Sequence, residues 1–462
     1  MQSRDLDRGN IGPLTSAPEA KSMASIYLQT FGCQMNAADS NGLAHQAWSM
    51  GCTFAKEPDD ADIIIVNTCA IREKAETKVY GRLGVLKGIK ERHPGAKLLV
   101  AGCLAEKDRQ IMQKKAPHVD ALLGPRDYRQ FKALLASWGV PTDAPPPETD
   151  FLMPSAEDDP GHDGAAEFAH VRALVNITRG CEKFCTYCIV PYTRGPLESI
   201  DPDEIEAQVR REVRCGAKEI TLLGQNVNSY FWQPANLDFA GLLARVGTIE
   251  GLERLTFLTS HPKDFGPRVV EALAQLPNVE PRLHLPVQCG SNPVLEAMAR
   301  LYTIEEYLEK IAYFRERLPR WALTTDLIVG YPTETEADFL QTLELVQRGT
   351  FEYAFIFAFS PRTGTPAATM QPQVPPEEKI RRLQAINTAQ NEVTRRFNES
   401  FLGETVRVLA QGPSKKDQAK MAGKTGHNTT VIYPRDERTT HAALVDVAIE
   451  QAYNWGLAGS VN

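Results

Sequence analysis

Between residue 168 and about residue 370 the chain repeats one pattern six times: a short apolar run, then a charged, helix-like stretch. The runs are RALVNIT, KEITLLG, LERLTFL, RLHLPVQ, ALTTDLIVG and EYAFIFAF, each ending near turn-forming or polar residues. Short runs rich in Val, Ile, Leu and Phe, alternating with helical stretches, read as parallel strands with crossover helices. Six such units predict an open (β/α) barrel, whose chemistry should gather at the C-terminal ends of the strands.

The flanks read differently. Residues 24–140 hold SIYLQTF, ADIIIVN and AKLLVAG, three further buried strands of a small parallel α/β sheet. The segment from Ile71 to His93 has the length and charge of a crossover helix, closed by Pro94 and Gly95. Residues 141–167 turn abruptly proline-rich and acidic, which predicts a linker. Residues 1–23 are polar with no apolar core, which predicts a disordered start and no secretory signal. After an arginine-rich helix between Pro376 and Asn398, residues 399–462 alternate again in ETVRVLAQ, NTTVIYP and ALVDVAIEQA, the pattern of a small β-barrel. The expected architecture is therefore α/β and multidomain: a small parallel sheet domain, an open (β/α)6 partial barrel over 168–398, and an all-β C-terminal barrel.

No apolar run reaches eighteen residues, so no membrane span is expected. Nine cysteines without a signal peptide point to a reducing, cytoplasmic setting, where clustered thiols serve metals or catalysis rather than disulfides. The net charge of −7 neither announces nor excludes a nucleic-acid partner, because phosphate binding depends on local basic patches.

The stretch VNITRGCEKFCTYCIVPYTRG places Cys181, Cys185 and Cys188 directly after the first barrel strand. Three thiols in eight residues can wrap one cluster, and their spacing differs from the paired CxxC halves of a zinc ribbon. No fourth cysteine follows closely, so a cubane cluster here would keep one iron open to a chelating ligand. A structural zinc site completed by a distant Cys or His is the alternative. Cys33, Cys69 and Cys103 stand alone in sequence, yet each follows a predicted strand at a similar offset: IYLQTFGC, IIIVNTC and LLVAGC. In a parallel sheet such positions share one rim, so the three thiols can converge on a second cluster. The alternative is three buried thiols acting as small hydrophobes. Cys52 and Cys215 read as core residues at element ends, and Cys289 lies at a barrel strand end where chemistry is expected.

The CxxxCxxC loop resembles that of the radical S-adenosylmethionine (SAM) superfamily, including the aromatic residue before its last cysteine, Tyr187. That resemblance implies a 4Fe–4S cluster whose open iron binds SAM, with Tyr187 lying against the cofactor and a 5′-deoxyadenosyl radical released on reduction. A second three-cysteine domain before the barrel and a β-barrel after it resemble the methylthiotransferases over nearly the whole chain. The stretches TFGCQMN, VNTCAIREKA, LLGQNVNSY, SHPKD, HLPVQ, FAFSPRTGTPAA and GPSKKD carry the likeness, and favour the branch that modifies N6-isopentenyladenosine in tRNA.

The resemblance implies two 4Fe–4S clusters: a sulfur-donating one on Cys33, Cys69 and Cys103, and a SAM-binding one on Cys181, Cys185 and Cys188. SAM would serve as both radical source and methyl donor. Gln225 and Asn228 would contact its amino-acid end, with ordinary loop capping as the alternative. Gly330 would allow close approach on the adenine side. The C-terminal domain resembles the TRAM RNA-binding barrel. Residues 401–435 carry Arg407, Lys415, Lys416, Lys420, Lys424 and Arg435 against Glu404 and Asp417, a local charge of +4. Of these Arg407, Lys415, Lys416, Lys420 and Lys424 are the expected contacts to an anticodon stem-loop, against the alternative of a solvated face. An electron donor is implied, and a monomer. Three departures from the family pattern stand out: Cys289 where serine is usual, Thr333 in place of glycine, and ARLYT around Arg300 without its usual glycine or extra basic residue. The competing functions are a sister methylthiotransferase acting on threonylcarbamoyl-adenosine or a ribosomal-protein aspartate, and a zinc-stabilised RNA-binding protein without catalysis.

Overall fold

A computed structural model of the protein describes residues 23–70, 73–142, 144–146, 171–439 and 443–461. The expected disordered start and nearly all of the expected linker lie outside the described residues.

In the N-terminal domain β1 (Ser25–Thr30), β2 (Thr53–Phe54), β3 (Ile63–Thr68), β4 (Lys97–Gly102) and β5 (Ala121–Leu123) form one parallel sheet in the order β2-β1-β3-β4-β5. Alternate residues of the central strands enter two cores. Ile64, Val66, Leu98 and Val100 face one, while Ile63, Ile65, Leu99 and Ala101 face the other. Burial on both faces is why IIIV and LLVA read as continuous apolar runs. The crossover helix spans Glu73–Arg92, inside the range its charge pattern marked.

The six expected barrel strands are all present: β6 (Arg172–Asn176), β7 (Glu219–Leu223), β8 (Arg254–Phe257), β9 (Arg282–His284), β10 (Ala322–Val329) and β11 (Tyr353–Ala358). They run parallel in sequence order as two three-stranded sheets, with a single bridge between Leu255 and Val279 spanning β8 and the approach to β9. Val175, Ile220, Leu222, Leu255, Leu283, Leu323 and Leu327 point outward into the core under the helices. The intervening residues face the concave interior. At its N-terminal end that interior is filled by charge: Glu219 accepts from Arg172 Nε at 2.9 Å and lies 3.5 Å from Arg282.

The C-terminal barrel is closed from five strands, β12 (Thr405–Pro413), β13 (Lys420–Lys424), β14 (Thr430–Pro434), β15 (Leu444–Tyr453) and β16 (Gly456–Val461), ordered β12-β13-β14-β16-β15. It follows the long helix Pro376–Glu399 and packs on the N-terminal ends of the core strands, away from the cysteine loops. Arg254 donates to the carbonyls of Arg407 (2.7 Å) and Lys424 (3.1 Å), and the Tyr353 hydroxyl meets that of Thr429.

Glu280 is sealed in this interface, 3.3 Å from Arg254, and its Oε2 has no hydrogen-bond partner. Burial outweighs Arg254 and pushes its pKa up to about 7. The folded state thus holds this proton more tightly than the unfolded chain, so the stability Glu280 contributes is full at low pH and lost as pH rises through about 7. Comparing unfolding of the wild type and Glu280→Gln across pH should show the variant gaining about 2 kcal/mol on the wild type between pH 5 and pH 8.

Candidate functional site

Each triad is built by a short backbone device at the C-terminal ends of strands. In the barrel, Gly180 turns the chain at φ +67°, where a Cβ would lie 1.9 Å from the Pro196 carbonyl oxygen. Cys181 N then donates to Gly195 O (3.0 Å) and Cys188 N to Cys185 O (2.9 Å), which curls the loop on itself. Thr186 anchors it from below: its hydroxyl donates to Ala297 O (2.8 Å) and sits 2.6 Å from the Tyr331 hydroxyl. Arg300, buried, donates to Cys185 Sγ and to the Tyr187 hydroxyl, both at 3.4 Å, and to Pro286 O at 2.8 Å. Burial pushes the Cys188 thiol up to about 12 and raises that of Cys181.

In the N-terminal domain Cys33, Cys69 and Cys103 follow β1, β3 and β4 and are drawn to one rim. Gly32, at φ +132°, leaves the space in which a Cβ would lie 2.3 Å from that of Cys69. Cys33 is the N-cap of the helix Gln34–Trp48, and its thiol donates to Asn36 Oδ1 at 3.3 Å. Asn36 is itself locked by Asn67 Oδ1 and Thr68 O (3.2 and 2.8 Å). A hydrogen bond from the Cys69 thiol, against the effect of burial, holds Cys33 down to about 6. Cys103 is buried, which raises its pKa, and Arg194 Nε lies 3.2 Å from its sulfur. Among the described residues no three His, Cys, Asp or Glu side chains are disposed to hold a single metal ion.

The two rims touch. Arg194 ends the helical turn Val190–Arg194 that follows the barrel triad, and its Nη2 donates to Asp39 at 2.7 Å. Asp39 lies on the helix that Cys33 caps, and also accepts from Asn176 of β6 at 3.1 Å. Ile189, next to Cys188, packs against Cys103 and Ala70. Cys33, Met35 and Ala38 pack over Leu174, Leu223 and Leu258 on the barrel side. Spacing in the sequence singled out the six cysteines but not Arg194, although it lies inside the VPYTRG stretch.

Beside the barrel triad, polar side chains wait without partners. Both side-chain atoms of Asn228 are buried and unbonded, as are Thr178 Oγ1, Ser260 Oγ and His261 Nε2. They cluster at the ends of β6, β7 and β8: His261 N donates to Asn226 Oδ1, and Val227 N to Thr259 O. Buried polar atoms left unpaired are costly, so this donor and acceptor set fits a polar ligand such as the amino-acid and ribose portion of SAM. Gln225 is half-buried nearby. Asn226 is spent structurally, donating to Ser229 and to Asp264, which in turn pairs with Lys183. The residues of SHPKD, notably Ser260 and His261, could have been singled out from that stretch and were not.

Gly330 adopts φ +68°, but the space it leaves is taken by Lys379, whose Cγ would lie 2.3 Å from a Cβ there. Its N–H donates to the Glu334 carboxylate. Cys289 is fully buried against Thr342 Oγ1 at 3.3 Å, and burial pushes its thiol up to about 12, so it is a core residue. Thr333 and Leu301 both lie at positive φ, +73° and +62°. Glycine adopts that conformation without strain, so Thr333 and Leu301 hold it at a steric cost.

On the C-terminal barrel Arg407, Lys415, Lys416 and Lys420 are exposed. Arg407 lies 3.8 Å from Glu253 and Lys420 3.5 Å from Asp417. Lys424 differs from its expected place on this face. Its ammonium turns inward to Thr430 Oγ1 (2.8 Å) and Asn428 O (3.3 Å), and burial together with Arg172 and Arg282 lowers it to about 8.

The profile of the radical SAM superfamily matches residues 175–346, and that of "Uncharacterized protein family UPF0004" matches residues 25–124. In fold, the chain is similar to the radical SAM methyltransferase TsrM from Kitasatospora setae, with a TM-score of 0.56, 11% identity, and coverage of 75% of this chain and 77% of that one. These findings make the chain a radical SAM enzyme, and that class implies SAM and a 4Fe–4S cluster as its cofactors. It is also 42% identical over 444 residues to the tRNA-2-methylthio-N(6)-dimethylallyladenosine synthase of Moorella thermoacetica, covering 96% of this chain and 99% of that protein. The protein of the same name from Desulfitobacterium hafniense is 40% identical, covering 94% and 96%. The chain belongs to the tRNA-2-methylthio-N(6)-dimethylallyladenosine synthase family.

Proposed function

We propose that the chain converts N6-isopentenyladenosine (the dimethylallyl nucleoside) beside the tRNA anticodon into its 2-methylthio derivative. Cys181, Cys185 and Cys188 would hold the SAM-binding cluster, and Cys33, Cys69 and Cys103 a second, sulfur-donating one. The observation that carries this reading is that Arg194, six residues after Cys188 in the barrel loop, reaches Cys103 and Asp39 of the helix capped by Cys33, which brings the two cysteine-bearing strand ends together. When bound, the clusters supply an electron to chelated SAM and sulfur to the base; a further SAM supplies the methyl group.

The chain's own residues supply charge, orientation and exclusion of water. Three thiolates around a cluster concentrate negative charge, and each rim sets one buried arginine against a sulfur, Arg194 at Cys103 and Arg300 at Cys185. Burial raises the Cys103, Cys181 and Cys188 thiols, so binding a cluster there would release protons. Arg300 also orients Tyr187 beside the loop. Asn228 would satisfy its unpaired amide on SAM, with Gln225 beside it, while Gly330 shapes the strand end through Glu334 and Lys379. Asn228→Leu should therefore weaken SAM binding roughly tenfold in equilibrium dialysis, the effect of losing one or two buried hydrogen bonds, with iron content unchanged.

Arg407, Lys415, Lys416 and Lys420 would meet backbone phosphates of the anticodon stem-loop. A separate one-electron donor would reduce the clusters, and the chain would act as a monomer. No helix among the described residues is long and apolar enough to cross a membrane. Mass spectrometry of tRNA nucleosides, from cells lacking this gene and from cells resupplied with it, tests the substrate. Isopentenyladenosine should regain its methylthio group; a gain on threonylcarbamoyl-adenosine instead would reassign the target.

A further inference from the structure

We infer that Phe355 and Phe357, on the last strand of the open barrel, form the surface that takes the apolar N6 tail of the substrate nucleoside. The inference rests on the substrate assignment above and adds the residues that recognise it.

Along β11 the side chains alternate. Ala354 and Ile356 pack into the core under the helices, whereas Phe355 and Phe357 are 54% and 47% exposed. The parallel register places Phe355 beside Asp326 and Phe357 beside Ile328 of β10. In-register residues of parallel strands project to the same face, so both rings line the concave interior with Thr324, Asp326 and Ile328. His284 of β9 joins them, its ring edge-on to Phe355 with centroids 6.1 Å apart and its Nδ1 2.9 Å from Thr324 Oγ1. Two large rings exposed side by side in a concavity cost solvation energy and mark an apolar ligand surface.

The opposite wall of the same interior is different. There Leu174, Leu223 and Leu258 are covered by Cys33, Met35 and Ala38, and the barrel triad follows β6. Carbon 2 of the base must face that wall to receive sulfur. On the six-membered ring of adenine, carbon 2 and the N6-bearing carbon 6 are meta to each other. The exocyclic bonds at these two carbons diverge, so with carbon 2 on that wall an N6 substituent leads off it into the interior that β10 and β11 close. A five-carbon alkenyl tail has no polar atoms, and Phe355 and Phe357, with Ile328 beside them, offer it apolar contact on that side.

The test compares two anticodon stem-loops of one sequence, carrying adenosine or N6-dimethylallyladenosine, on the iron-loaded full chain with SAM. Fluorescence anisotropy gives each Kd, and thiolation assays give kcat/KM on the prenylated RNA. The wild type should prefer the prenylated RNA by about tenfold or more, in line with burial of a few carbon groups. Phe355→Ala and Phe357→Ala should each cut that preference several-fold, and the double variant should bring it close to one. Phe357→Leu, which keeps an apolar surface, should retain most of it. Because both rings are about half exposed, their truncation opens no core cavity, and equal melting temperatures will show that the fold is kept. If the wild type thiolates the prenylated RNA and the double variant keeps its preference, the aromatic wall is not the tail site. A wild type that binds both RNAs equally overturns the inference as well. If the wild type thiolates neither RNA, the substrate assignment itself falls.

Discussion

Cys69→Ala should leave reductive cleavage of SAM in place and abolish sulfur insertion. Cys69 belongs to the rim built by β1, β3 and β4, where it is fixed against Gly32 and hydrogen-bonds the Cys33 thiol. The SAM-binding loop is held by other means: Gly195, Ala297, Met298 and Tyr331. Removing one ligand of three should therefore empty only the first site. Iron should drop from about eight to about four per chain, the content of one cubane cluster. Formation of 5′-deoxyadenosine should stay within about twofold of the wild type, a difference well under 1 kcal/mol in the barrier, while methylthiolated product falls below detection. Cys185→Ala should remove both activities. Loss of cleavage in Cys69→Ala with iron still present at the barrel triad would contradict this division of labour.

The second large effect concerns the joint between the rims. Arg194 and Asp39 are both buried, 2.7 Å apart, and Arg194 also meets Cys103. Arg194→Ala leaves the Asp39 carboxylate buried with Asn176 as its remaining hydrogen-bond partner among the described residues, and breaking such a pair typically costs about 3–5 kcal/mol. The lowest unfolding transition of the iron-loaded protein should move down accordingly, and limited proteolysis should separate the N-terminal domain from the barrel. Asp39→Asn should show a comparable loss. Combining the two changes should cost much less than their sum, because the uncompensated charge is gone. Strict additivity would mean that the pair does not hold the rims together.

Much of the architecture was legible in the chain because buried parallel strands announce themselves as unbroken apolar runs. All six barrel strands and β1, β3 and β4 lie where those runs stand. The unpredicted strands lack that signature. The edge strand β2 has two residues and β5 three. β13 reads KMAGK and β16 GLAGSV, and both are held as strands by closure of the barrel rather than by propensity. The barrel triad was legible because its spacing is local. The other triad was legible only through a shared offset past three strands. Arg194, Asp39 and Arg300 could not be read this way. The partners of Arg194 lie 91 and 155 residues away, and Arg300 reaches Cys185 across 115 residues, so only the folded chain joins them. Lys424 was placed on the RNA face from the TRAM resemblance and local charge, and its hydrogen bonds to Thr430 and Asn428 draw it inward instead.

The most direct test of two clusters facing one substrate is an iron and acid-labile sulfide count on anaerobically purified protein. Wild type, the triple alanine variant of Cys33, Cys69 and Cys103, and that of Cys181, Cys185 and Cys188 would be measured together. The expected result is about eight, four and four irons per chain. About four irons in the wild type, unchanged by replacing Cys33, Cys69 and Cys103, would contradict the second cluster and with it the proposed source of sulfur.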